Sequence, residues 1–208
     1  MPEISRDAKF MGLITAQSMH EMQNILAIIH ESAGLLGDIL KVNAKVDFKH
    51  RPKMESTLGH IFSQVHRGKS LLHATSRLAH APDDDLLESC DLAVYSTIGV
   101  QLSERMARLR GSEVAFTPPT EAQPVRTGAL NVLMSVYHGL YWATSGPTHN
   151  QAVAVTVAKA GSDRIVRVTA PAAAAPDVAA LDHPRLLLGP DRVVLQGREL
   201  NLVFPALT

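Results

Sequence analysis

The sequence predicts an α+β protein. A long antiparallel helical hairpin pairs with a second copy to form a dimeric four-helix bundle, and an α/β sandwich follows. Three observations predict this. Apolar residues recur at spacings of three and four through most of residues 1–82. The stretch "HAPDDDLLESCD" then breaks that pattern with a proline and three aspartates. Beyond it, runs alternating with period two and bounded by Gly-containing turn pairs alternate with helical patterns.

The first helix is expected from about Ser5 to Asn43. Met11, Ile14, Ser18, Met22, Ile25, Ile29, Ser32, Leu36 and Ile39 follow one another three or four residues apart, a mostly apolar stripe. At about 100° per residue, His20 lies roughly 160° from the middle of that stripe, and Asn24 shares its face within about 40°. His20 therefore points to water or to a partner. Asn43, the lysines of "KVNAKVDFKHRP" and Pro52 end this helix and start the next, with Pro52 in its first turn. Met54, Leu58, Ile61, Val65, Leu72 and Ala79 form the apolar face of the second helix, expected to stop at Pro82. Each helix carries more apolar surface than one partner helix covers, hence the expected homodimer.

Residues 83–208 form the second expected domain. Leu92 to Arg110 and Arg126 to Thr144 are expected helices, and "SEVAFTPP" is an expected strand. "QAVAVTVAKA" and "DRIVRVTA" form a hairpin around Gly161-Ser162, and "DRVVLQGRELNLVFP" forms another around Gln196-Gly197. "APAAAAPDVAALDHP" is expected to be a loop with a short helical turn. Tyr137, Tyr141 and Trp142 are expected to pack in the core. Asp83 to Asp85 are expected in a solvated linker and helix start.

Twenty basic and twenty acidic residues cancel, so no global field attracts nucleic acid or an anionic membrane. A single cysteine excludes an internal disulfide and suits a reducing compartment. No apolar run approaches the ~20 residues of a membrane span, and the N-terminus lacks a secretory pattern. A cytoplasmic location is the expectation. His66, His73 and His80 sit two helical turns apart, about 10.5 Å. That is too far to share one zinc ion, so they are expected to flank the bundle seam.

The pattern "FMGLITAQSMHEMQNILAIIHESAGLLGDIL", with His-Glu-x-x-Asn from His20, resembles the H-box helix of bacterial two-component histidine kinases. The second helix with "CDLAVYSTIGVQLSERMARLRGSEVAFTPP" resembles its continuation into the ATP-binding domain. The resemblance implies residues 1–82 as a dimerisation and histidine phosphotransfer domain, and residues 83–208 as a degenerate kinase-like ATPase domain. It implies His20 as phosphoacceptor, Glu21 as the acceptor that orients its ring, and Asn24 as the amide that positions a hydrolytic water. The family's two N-box asparagines are replaced by His138 and Trp142, and "PAAAAP" stands where its Asp-x-Gly-x-Gly box would follow "RIVRVTA". ATP binding and autokinase activity are therefore expected to be lost. No cofactor is expected, with magnesium supplied by the partner receiver.

The leading expectation is phosphotransfer between His20 and a receiver-domain aspartate of a response regulator. The alternatives are a phosphatase of the phosphorylated regulator, or a non-catalytic pseudokinase or interaction module.

Overall fold

A computed structural model of the chain describes residues 6–46, 49–84, 89–146, 151–172 and 178–207. The architecture is mixed α+β, and the chain divides into two compact units, Met1–Ala79 and His80–Thr208.

The first unit is built from helices α1 (Arg6–Val42) and α2 (Arg51–Asp84). Their seam is a heptad of small and branched residues. Ala33, Leu40 and Leu58 cluster with Ile61 and Phe62, and Val65 and Leu72 extend the buried line along α2. His30 meets Phe62 edge-on at 5.1 Å. Leu26 sits over Gly68, where a Cβ would come within 2.9 Å of Leu Cδ1, so the absent side chain at Gly68 lets the helices approach. These contacts, running from Leu40–Leu58 back to Leu26–Gly68, make the pair antiparallel.

The connection is tied by Arg51. Its Nη1 donates to the Leu40 carbonyl at 2.8 Å, an oxygen in the last turn of α1, and its Nη2 donates to the carbonyls of Asn43 and Val46 in the turn that follows. Pro52 falls in the first turn, as expected. Pro82 does not stop α2, which continues to Asp84. A proline so near a helix end forfeits only one hydrogen bond of the last turns, less than an interior break costs. Asp83 and Asp84 thus close a helix rather than begin one, and Asp85 lies outside the described residues.

The seam lies about 70° around α1 from the centre of the expected apolar stripe. Met22, Ile25, Ile29, Leu36 and Ile39 remain 41–50% exposed in the single chain. The side chains of Met11, Ile14 and Ser18 lie outside the described residues.

The second unit contains β1 (Cys90–Asp91), α3 (Leu92–Leu109), β2 (Ser112–Phe116), β3 (Pro124–Val125), α4 (Ala129–Ala143), β4 (Gln151–Ala160) and β5 (Asp163–Thr169). A 3-10 turn (Val178–Leu181), α5 (Asp182–Leu188), β6 (Val193–Gln196) and β7 (Glu199–Pro205) complete it. The main sheet has the order β2-β4-β5-β7-β6, with β2 parallel to β4 and the other pairs antiparallel. Alternation puts Val153, Val155, Val166, Val168, Leu200, Leu202 and Phe204 on one buried face. The opposite face carries Arg167, which bonds Asn201 at 3.0 Å and pairs with Glu199 at 3.7 Å.

Helices α3 and α4 cover the buried face through Ile98, Val132, Val136, Leu140 and Trp142. Gly99 faces Val136 and Gly139 faces Leu200, Leu202 and Val168, with no room for a side chain at Gly99 and little at Gly139. Gly161 and Gly197, at φ 58° and 60°, make the tight turns of the two hairpins.

The helix expected from Arg126 begins at Ala129 instead, and two short strands were not anticipated. Cys90 and Asp91 pair with Val125 and Pro124, and the Arg126 amide donates to the Pro205 carbonyl at 2.7 Å. Those long-range bonds hold residues 124–126 extended, so the helix starts only after Gly128. Asp91 binds the same junction, its Oδ1 accepting from the amides of Ala93 and Gln123 at 2.9 Å each. In the alanine- and proline-rich stretch, residues 170–172 are irregular and residues 178–184 belong to the 3-10 turn and α5; residues 173–177 lie outside the described residues.

Candidate functional site

His20, Glu21 and Asn24 lie in the middle of α1, and all three are exposed. The helix brings His20 and Asn24 to one face and leaves Glu21 about 100° around from His20. Adjacent helical residues do not face one another, and among the described residues no hydrogen bond or ion pair joins Glu21 to His20. Ile28, one turn beyond Asn24, and Leu35, two turns further, continue this face and are 64% and 65% exposed. The contact of Leu26 with Gly68 anchors the segment on its other side. The result is an imidazole and an amide presented to solvent beside two exposed apolar residues on one helix face. An exposed neutral imidazole offers a lone pair for attack on phosphorus, and an exposed amide supplies both a donor and an acceptor.

In the second unit, Trp142 is 1% exposed, packed into the core of α4, and its indole Nε1 has no hydrogen-bond partner. His138 is partly buried. It stacks at a tilt against His183, with ring centroids 4.6 Å apart, and meets Tyr137 edge-on at 5.6 Å. Burial, followed by repulsion from His183, lowers the His138 pKa below the usual histidine value. A shallow pocket of about 250 Å³ lies here, between Tyr137, His138 and Tyr141 of α4 and Ala179, Ala180, Asp182 and His183.

Tyr137 and Tyr141 are 38% and 37% exposed, which corrects the expectation that both pack in the core with Trp142. One turn apart, they share the face of α4 that looks outward, whereas Trp142 is rotated about 100° from Tyr141. Arg110 lies over the Tyr141 ring at 3.8 Å.

Past β5 the chain enters the buried Ala170, whose amide donates to the Arg198 carbonyl at 2.9 Å. The described residues before β6 then hold only short helical pieces. Among the described residues, no group of three or more histidine, cysteine, aspartate or glutamate side chains could hold a metal ion. No described helix is long and apolar enough to cross a membrane.

One feature of the second unit was not anticipated. A pocket of about 420 Å³ opens at the head of α4, lined by Arg126, Thr127, Gly128 and Asn131 and, from the turn before β6, Arg192. Its residues come from separate segments and form no local motif. The only sequence signal was an arginine beside the start of an expected helix.

No family model matches the sequence, and no curated protein matches it at a significant level. Among solved structures, full-length ShkA, a histidine kinase crystallised in complex with AMPPNP, is a neighbour with a TM-score of 0.37 and 15% identity. The match covers 92% of this chain and 45% of that one, so this chain spans less than half of the neighbour's length. At that score and identity the likeness assigns neither a family nor an activity.

Proposed function

We propose that this chain is a two-component signalling protein in which His20 takes a phosphoryl group from a receiver-domain aspartate and passes it to another. One imidazole nitrogen of His20 attacks phosphorus. The P–N bond forms as the acyl-phosphate P–O bond breaks, the aspartate carboxylate leaves, and the ring sheds a proton to solvent. The receiver supplies the magnesium.

The observation that carries the reading is the exposed face of His20 and Asn24, continued by the exposed Ile28 and Leu35. That is the combination a receiver surface needs, with a reactive group at one end and apolar contacts beyond it. The open stripe of Met22, Ile25, Ile29, Leu36 and Ile39 supports a homodimer, since burying it against its copy removes apolar surface that the single chain leaves in water. The buried Trp142 and the His138–His183 stack support loss of ATP binding and of autokinase activity.

The test is incubation of the purified protein with a panel of phosphorylated receivers. Acid-labile label on the wild type and none on His20→Ala is expected. No label across the panel overturns the relay.

The exposed amide of Asn24 supports a second reading, a phosphatase in which Asn24 orients the attacking water and His20 is not phosphorylated. Receiver dephosphorylation that survives His20→Ala and is lost in Asn24→Ala selects it. Binding of a receiver with no phosphoryl movement, unaffected by either substitution, selects a non-catalytic interaction module.

A further inference from the structure

The pocket at the head of α4 is cationic. Two of its lining side chains are arginines and none is a carboxylate. Among the described residues, neither Arg126 nor Arg192 forms an ion pair. Arg192 Nη1 is buried with no hydrogen-bond partner. A guanidinium presents five donors in a fixed fork, and a buried donor without an acceptor is costly.

The placement is also unfavourable for an empty protein. Cations stabilise helix C-termini, yet these two arginines stand at the N-terminal end of the 15-residue α4, where the helix dipole is itself positive. Gly128 caps that end with no side-chain hydrogen bond. An anion held between the arginines would offset the positive charge gathered at that end. Asn131 adds an amide at the rim, and Leu187 and Leu188 form an apolar wall beside the charged floor.

We propose that this pocket binds a phosphate group, carried by a small phosphomonoester whose organic part rests on Leu187 and Leu188, with Arg126 and Arg192 as bidentate donors. A tetrahedral dianion accepts several hydrogen bonds at once, which suits two forks and an amide better than a planar carboxylate does. This site is independent of His20 and of the relay proposed above.

The experiment is isothermal titration of the full chain at constant ionic strength, in a buffer free of phosphate and sulfate. The probes are inorganic phosphate, phenyl phosphate and benzoate. Saturable binding of inorganic phosphate in about the millimolar range is expected, with phenyl phosphate several-fold tighter. Arg192→Gln should weaken phenyl phosphate at least about tenfold. Arg126 is exposed, so Arg126→Gln leaves the fold intact and carries the test if Arg192→Gln disturbs folding; it too should weaken binding. Equal affinity for the two phosphates places the free ion in the site in place of an ester and retains the phosphate assignment. No saturable binding up to about 20 mM probe, undiminished affinity in Arg126→Gln, or benzoate binding as tightly as phenyl phosphate overturns the proposal.

Discussion

Replacing Trp142 by asparagine, the residue that the kinase resemblance places there, tests whether this position has become part of the core. Trp142 is 1% exposed and heads the largest fully buried side chains of the protein. Removing a buried tryptophan costs about 3–5 kcal/mol when only alanine remains. Asparagine refills part of that space, but with an amide that lacks a partner, for about 1–3 kcal/mol more. The sum, about 4–8 kcal/mol, is a large share of the ~5–15 kcal/mol that holds a typical domain folded. Trp142→Phe is the control. The lost N–H of Trp142 had no hydrogen-bond partner, so the main cost is a smaller cavity, and a loss of about 1–2 kcal/mol is expected. The chain has a single tryptophan, so unfolding is followed by far-ultraviolet circular dichroism in urea rather than by fluorescence. Trp142→Asn should lower the midpoint of the second unit by the equivalent of about 15 °C or more in Tm, and Trp142→Phe by about 5 °C. A loss under about 1 kcal/mol for Trp142→Asn, or equal losses for both variants, would show that the indole is not a structural element.

A cavity argument of the opposite sign applies to the glycines. Gly99→Ala drives a Cβ to within 2.9 Å of Val136 Cγ1 and should cost about 1–3 kcal/mol in urea unfolding, whereas Gly59→Ala, with nothing within 4 Å on exposed α2, should stabilise by up to about 1 kcal/mol. The double substitution Ile29→Asp and Leu36→Asp should turn a dimer into a monomer in light scattering with helicity retained; an unchanged mass removes the open stripe of α1 as the dimer surface. Stability should also depend on pH through His138. Its folded pKa lies below the ordinary histidine value, because burial and then His183 oppose its charge. The unfolded chain therefore binds the proton more readily, and stability falls as pH drops through the unfolded value near 6.5 toward the folded one. His138→Gln should flatten this part of the pH profile between about pH 5 and 7.5, and an unchanged slope would contradict the assignment.

The periods of the sequence determined the elements of this protein. A 3.6-residue repeat names α1 through α4, and a two-residue repeat names β4, β5 and β7, because each reports which side of one segment avoids water. Turn chemistry was equally local, as Gly161 and Gly197 show, since a positive φ is a property of a few adjacent residues. Exposure of His20 and Asn24 was legible for the same reason, as both lie well away from the apolar face of their own helix. What the segments do to one another was not legible. Helix α1 carries two apolar stripes about 70° apart, and only the notch at Gly68 and the cluster of Ala33, Leu40 and Leu58 decide which one meets α2. The pairing of Cys90 and Asp91 with Val125 and Pro124, which delays α4 to Ala129, rests on bonds between distant segments that no local pattern encodes. Tyr137 was misplaced because a uniformly apolar helix does not reveal which side its neighbours leave uncovered. The union of Arg126 with Arg192 at one pocket is of the same kind, since the two arginines come from segments that only folding brings to one place.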